Sequence, residues 1–202
     1  EDWYFKTLKT RYRYLKHKFQ LDNANVIAPK FFRLRPPNFP TVRLAQFAML
    51  YFEQPSLFSK VISGKNLEAF YELFNVTGSE YWDKHYNFGI GSLQRKKRVS
   101  KSSMDLLVIN TIIPIKFCYA VQQGRDISDE ILELAAKISS EENAIVKNFN
   151  SLKKISKSAG HSQALLHLKT EYCDKNRCLQ CAIGSSIIGT VAQPEVRKIM
   201  EN

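Results

Sequence analysis

Three cysteines stand within nine residues near the end of the chain, at Cys173, Cys178 and Cys181. A Cys-x2-Cys pair lets two thiolates on a short loop face one ion, as at zinc and iron–sulfur sites. Three thiolates do not complete a tetrahedral shell. The candidates for a fourth ligand are His167, His161, Cys118 or a residue outside this chain. Cys118 lies inside an apolar run and is expected to be buried filler. Ordinary reduced thiols and a redox pair are the other readings of the cluster. Lys175 and Arg177 beside it favour thiolate character in every case.

A second constellation is cationic. Arg33, Arg35, Asn38 and Arg43 surround a run of prolines, Pro36, Pro37 and Pro40. Arginine's planar fork suits bidentate contact with phosphate or carboxylate. A helix beginning at Pro40 would add unpaired backbone N–H groups at its positive end, giving an anion site. The alternative is that these arginines pair with carboxylates of a neighbouring element and lock the turn. Arg95, Lys96, Lys97 and Arg98 form a further basic run in a polar stretch, Gly89 to Ser102, expected to be a mobile loop. Tyr81, Trp82, His85 and Tyr86 are spaced to share helix faces, where Trp82 and His85 could stack on unpaired bases. The plainer reading makes them core.

The elements that position these groups read as helices. Phe5, Leu8, Tyr12, Leu15 and Phe19 recur at spacings of three and four, with Lys6, Lys9, Arg11, Arg13, Lys16 and Lys18 between them. After the proline turn, Leu44, Phe47, Ala48 and Tyr51 are expected to form the core face of a second helix. Shorter helices are expected at Pro55 to Ser63, Leu67 to Phe74 and Glu80 to Tyr86. Met104 to Val121 reads as a buried helix bent near Pro114. Further helices are expected from Ser128, at Glu141 to Phe149, at Ser162 to Tyr172 and at Leu179 to Ile188, the last closing the core. No strand pair is evident. The expected fold is all-α, an irregular bundle of about eight to ten helices. It occupies residues 1–190 as a single domain, with 191–202 as a tail.

The chain has 202 residues, 44% of them hydrophobic, enough to bury a core. Its formal charge of +11 points to a polyanionic partner. The apolar run Met104 to Val121 is interrupted by Asp105, Asn110, Pro114 and Lys116, so no membrane association is expected. With no secretory signal and a clustered cysteine pattern, the expected location is cytoplasmic. The sequence opens at Glu1 within an amphipathic helix pattern, as expected of a fragment of a larger protein.

Two long stretches go beyond composition: the residues from Arg33 to Gln46, and those from Ser162 to Gly184. With Tyr81-Trp82-x-x-His85-Tyr86 and Ile109-Asn110-Thr111-x-x-Pro114, they make the chain resemble the C-terminal half of a bacterial family of unassigned activity, domain-of-unknown-function family 2851. The resemblance runs from the first helix to Gly184. It implies an N-terminal half, not contained in this chain, that is similar to PD-(D/E)XK nucleases and would hold any hydrolytic centre. The sequence departs from the family pattern at His161 and His167, where histidine is not usual, so neither is implied as an obligatory metal ligand.

No Ser/His/Asp set, glycine-rich phosphate loop or His-Glu-x-x-His motif is present, so the chain itself gives no case for an enzyme. The function expected is that of a nucleic-acid-binding helical module of a nuclease-like protein, its partners being nucleic acid and the N-terminal half of the same protein. Zinc or an iron–sulfur cluster is the cofactor the cysteines allow, and no small-molecule cofactor is evident. The rival is a scaffolding domain, whose arginine and cysteine clusters stabilise that N-terminal half.

Overall fold

Asp2 sets the start of the first helix in the computed structural model, which describes residues 2–189. Its carboxylate accepts the Phe5 N–H at 2.8 Å, an N-cap for α1 (Trp3–Lys18). The last turn carries Lys16, His17 and Lys18, which complement the negative end of the helix dipole. No residue of α1 is buried. Its first turn makes the attachment. Tyr4 Oη lies 2.9 Å from Ser79 Oγ, and the Phe5 ring packs on Phe88.

The chain packs as two compact units, Glu1–Tyr119 and Ala120–Asn202. In the first, a single 3-10 turn at Pro36–Asn38 leads into α2 (Pro40–Glu53), with Pro40 in the first helical turn as expected. The buried face of α2 is Val42, Gln46 and Leu50, not the expected Leu44, Phe47, Ala48 and Tyr51. Leu44, Phe47 and Tyr51 are more than half exposed. The rotation has a polar cause. Gln46 is buried because its amide donates to the Lys97 carbonyl at 2.8 Å and accepts from Arg43 at 3.1 Å.

α3 (Leu57–Ser63) and α4 (Leu67–Leu73) follow, the second capped by Asn66. Phe70 of α4, 1% exposed, is the largest fully buried side chain, a burial that stabilises by about 1.5–3 kcal/mol. The helix expected at Glu80 to Tyr86 is instead a 3-10 turn, Glu80–Asp83, followed by a small antiparallel hairpin. Its strands are β1 (His85–Asn87) and β2 (Ile90–Gly91). Gly89 takes φ +67° at the bend, a conformation that ends a helix there and favours glycine.

The stretch expected to be a mobile loop is held in place. Thr77 and Arg98 form an isolated bridge, and Val99 and Lys97 are buried. α5 (Lys101–Leu107) begins at the Ser100 cap and passes through a π turn, Val108–Ile112, into α6 (Ile113–Gln122). The expected bend near Pro114 takes this form. Proline has no N–H to return to the preceding turn, and its ring crowds that turn's carbonyl, so the helix widens just before it.

By length and composition the run Lys101–Gln122 could cross a membrane. In this fold Met104, Val108, Ile109 and Ile112 are core, and the Lys116 ammonium donates to the carbonyls of Ile62 and Gly64 at the end of α3, at 2.8 and 2.7 Å.

The second unit contains α7 (Ser128–Lys137), α8 (Ala144–Leu152) and α9 (Ala159–His167), with Leu134, Ile138, Val146, Ala159 and Leu165 as core. Asp126 accepts both the N–H and the hydroxyl of Ser128 at the start of α7. The helix expected to begin at Ser162 starts at Ala159, capped by Ser158. Ser162, wholly buried, donates to the Ala159 carbonyl and accepts the Glu141 N–H. α9 continues as a π turn, Leu168–Cys173. Residues 182–189 are helical but do not close the core, since Leu179, Ile183 and Ile187 are all more than half exposed. The protein is all-α apart from the one small hairpin among its described residues. The tail expected at 191–202 lies outside them.

Candidate nucleic-acid interface

The 16 residues of α1 include no acid and six cations: Lys6, Lys9, Arg11, Arg13, Lys16 and Lys18. Spacings of three, four and three put Lys6, Lys9, Arg13 and Lys16 on one face. That row spans about 15 Å at the helical rise per residue, long enough to meet several phosphates of one strand. Arg11 and Lys18 lie on the opposite flank, beside Trp3 and Tyr14, which are 69% and 62% exposed. Between the two flanks runs the stripe Phe5, Leu8, Tyr12, Leu15 and Phe19. It is only partly covered, from 36% exposed at Phe5, which packs on Phe88, to 60% at Phe19.

The arginine constellation divides. Asn38 Oδ1 accepts from Arg43 at 2.7 Å, and Ser103 and Gln46 take two more of the Arg43 donors. Burial holds the Arg43 pKa below its ordinary value. Arg33 and Arg35 remain exposed on the segment before α2, Arg33 in the left-handed region (φ +61°) with its guanidinium 5.0 Å from the Phe32 ring. The structure thus joins Arg43 to Asn38 but leaves Arg33 and Arg35 facing solvent.

The basic run 95–98 divides too. Lys97 points inward. Its ammonium donates to the carbonyls of Trp82 at 2.5 Å and Asp83 at 3.0 Å, and sits 4.2 Å from the centre of the Tyr86 ring. Desolvation lowers its pKa, and the charge of Asp83 opposes that shift. Lys96 pairs with the Asp83 carboxylate at 2.7 Å, and Arg98 donates to Asn75. Arg95 is exposed.

The aromatic set is a stack. Tyr4, Tyr81 and His85 lie nearly parallel, with successive ring centres 4.2 and 4.0 Å apart. The Tyr81 hydroxyl donates to Asp2 at 2.5 Å, and the Gly89 N–H reaches the same carboxylate at 3.0 Å. Burial and this hydrogen bond push the Tyr81 pKa up, while the Tyr81 hydroxyl draws that of Asp2 down. Trp82 is 4% exposed and packs on Phe88, so its ring cannot take a base. His85 is half-buried, its Nδ1 2.8 Å from the Tyr81 carbonyl.

Around the cysteines, Cys173 and Cys178 are exposed and Cys181 is half-buried. Among the described residues no three His, Cys, Asp or Glu side chains come together as a metal-holding group. His167 lies edge-on against Tyr172, and His161 Nδ1 accepts the Lys157 N–H. Lys175 pairs with Glu171, and Lys169 with Asp174. Cys118, expected to be buried, is exposed. The turn at Cys178 is tight, since a Cβ on Gly184 would fall 2.5 Å from the Cys178 carbonyl oxygen.

One site was not foreseen as a cavity, although Arg43, Asn110 and Thr111 in its lining belong to motifs singled out in the sequence. A cavity of about 620 Å³ opens in the first unit, floored by Leu50, Val61, Phe74, Val76 and Val99, with Arg43 in its wall. Phe47 and Tyr51, the residues assigned to the core by spacing, line it instead. Their i, i+4 pairing was the available signal.

The model of a family described as a protein of unknown function, DUF2851, matches residues 1–144. The chain belongs to the DUF2851 family. The match takes in α1, the proline turn, the aromatic stack and the cavity. It stops before the cysteine segment, on which the sequence resemblance also drew. Comparison with curated proteins and with solved structures finds no match. Within the DUF2851 region, α1 is where cations gather without acids.

Proposed function

We propose that this member of the DUF2851 family is a nucleic-acid-binding helical module whose principal phosphate-contacting element is α1. The observation that carries this reading is the helix itself, with no buried residue, six cations and no acid. Lys9, Arg13 and Lys16 share one face of a helix that contains no acid, and a polyanion releases its condensed counterions on meeting such a row. Arg33, Arg35, Arg95 and Arg98 are exposed and add to the same field. Trp3, edge-on to Tyr4 and Tyr81, and Tyr14 beside Lys18 keep exposed ring surface for stacking on unpaired bases, the part first assigned to Trp82. Such binding is indifferent to base sequence, because nothing here is shaped to read base edges.

The partly exposed apolar stripe of α1 favours a second reading, in which the helix docks on another domain of a longer protein and its charge neutralises acidic surface there. Binding of the chain to single- and double-stranded DNA and RNA across a salt series decides between them. Affinity that falls linearly on a log–log plot against salt supports the nucleic-acid reading. Absence of binding at about 50 mM salt, where phosphate contacts are strongest, refutes it and leaves the docking role.

A further inference from the structure

The cavity in the first unit is apolar on its floor and cationic at one wall, and the role proposed for α1 makes no use of it. Its volume, about 620 Å³, lies within the ~300–1,000 Å³ of small-molecule sites. Leu50, Val61, Phe74, Val76 and Val99, all buried, close its base, and the exposed rings of Phe47, Tyr51 and Phe58 stand at its mouth. Arg43 is the one charged residue in its lining.

The arginine is held in place without being neutralised. Its three partners, Gln46, Asn38 and Ser103, are all neutral. They take three of the five N–H donors a guanidinium carries, and two remain. Gln46 is itself 4% exposed and fixed from its other end by the Lys97 carbonyl, so the guanidinium is set in a prepared position. The π turn also lines the cavity, contributing Asn110, Thr111 and Ile112. Such turns recur at functional sites because the wider coil displaces side chains from the regular helical surface.

We propose that this cavity binds an amphiphilic monocarboxylate, a fatty-acid-like molecule with its tail on the apolar floor and its carboxylate on Arg43. A partly desolvated cation facing an apolar chamber is matched by an anion that brings its own apolar tail. The assignment is independent of the nucleic-acid reading and survives its failure.

Titration calorimetry and thermal unfolding of the full chain with octanoate, dodecanoate, hexadecanoate and dodecanol test it. Dodecanoate binds saturably, one per chain, and raises the unfolding temperature, while dodecanol binds more weakly. Arg43→Gln weakens dodecanoate by at least about tenfold, as loss of a charge-assisted hydrogen bond requires, and changes dodecanol by less than about twofold. Leu107→Trp, a filling change at a lining residue that is 37% exposed, abolishes binding of both while thermal unfolding shows the chain still folded. If Arg43→Gln does not fold, the preference of the wild-type chain for acid over alcohol carries the same information. The proposal is overturned if no amphiphile binds saturably, if acid and alcohol bind alike, or if Leu107→Trp leaves binding intact.

Discussion

Replacing Lys9, Arg13 and Lys16 together by alanine strips three of the four cations from one face of α1. None of the three is buried, and alanine is the strongest helix former, so the helix persists. The largest local interaction removed is that of the Lys9 ammonium, 5.8 Å from the Phe5 ring, which limits the cost to about 1 kcal/mol. The effect on duplex binding follows from the counterions released. Each phosphate contact contributes about 0.9 to the log–log salt slope, so three contribute about 2.7. Read at about 0.1 M salt, a loss of 2.7 in the exponent is about 500-fold in affinity, or about 3.7 kcal/mol. Single strands, at about 0.7 per contact, lose about 130-fold. Fluorescence anisotropy with labelled oligonucleotides over a salt series measures both the intercept and the slope. Lys147, Lys153 and Lys154, exposed in the second unit, form the matched control, because their removal lowers the net charge equally. The reasoning fails if the α1 variant shifts the slope by less than about one, or if the control loses as much affinity as the variant.

Lys97→Met leaves the Trp82 and Asp83 carbonyls without their buried donor. It should cost about 2–4 kcal/mol in urea unfolding, and a loss below about 1 kcal/mol would show that the carbonyls find other partners. Tyr81 donates to the Asp2 carboxylate and draws its pKa below the ordinary 3.8, so the anchor it provides is complete above that pH and is released as pH falls through the lowered value. Trp3 fluorescence should report an acid transition that Asp2→Asn lacks, and identical profiles would remove Asp2 from the anchor. Gly184→Ala puts a methyl group against the Cys178 backbone, so Cys178 and Cys181 should react faster with a thiol reagent while Cys118 is unchanged. Equal rates in both proteins would show that the turn adapts.

Much of the helical order was legible because capping residues and prolines act locally. Asp126 before Ser128 and Pro40 at the head of α2 stand where their chemistry requires. Faces were harder to read than helices. On α2 the apolar periodicity pointed to Phe47 and Tyr51, yet the buried face includes Gln46 between Val42 and Leu50, because its amide finds the Lys97 carbonyl, more than fifty positions away. Periodicity counts side chains and cannot see a distant carbonyl. Lys97 was misread for the same reason, as a cation in a basic run, when carbonyls from a separate turn enclose it. The hairpin after Glu80–Asp83 depends on Gly89 in a left-handed conformation, a tertiary outcome that a lone glycine in sequence does not announce.

The π turn amounts to a helix carrying one residue too many. Met104, Val108, Ile112 and Lys116 are all buried and fall at strict intervals of four. On a regular α-helix each such step drifts by about 40°, so the row would wind about 120° around the helix before reaching Lys116. The extra residue takes back about 100° of that drift and keeps the row in register with the interior. Deleting one residue from Val108–Ile112 would remove the bulge and leave Lys116 in phase, because eleven regular steps turn as far as the twelve steps that include the π turn, whereas inserting one more into the regular helix would rotate the Lys116 ammonium about 100° away from the carbonyls of Ile62 and Gly64. Length in this segment is therefore constrained by phase in one direction: the loss of a residue is absorbed by the turn, and a further insertion is felt at the far end of α3 as a missing cap.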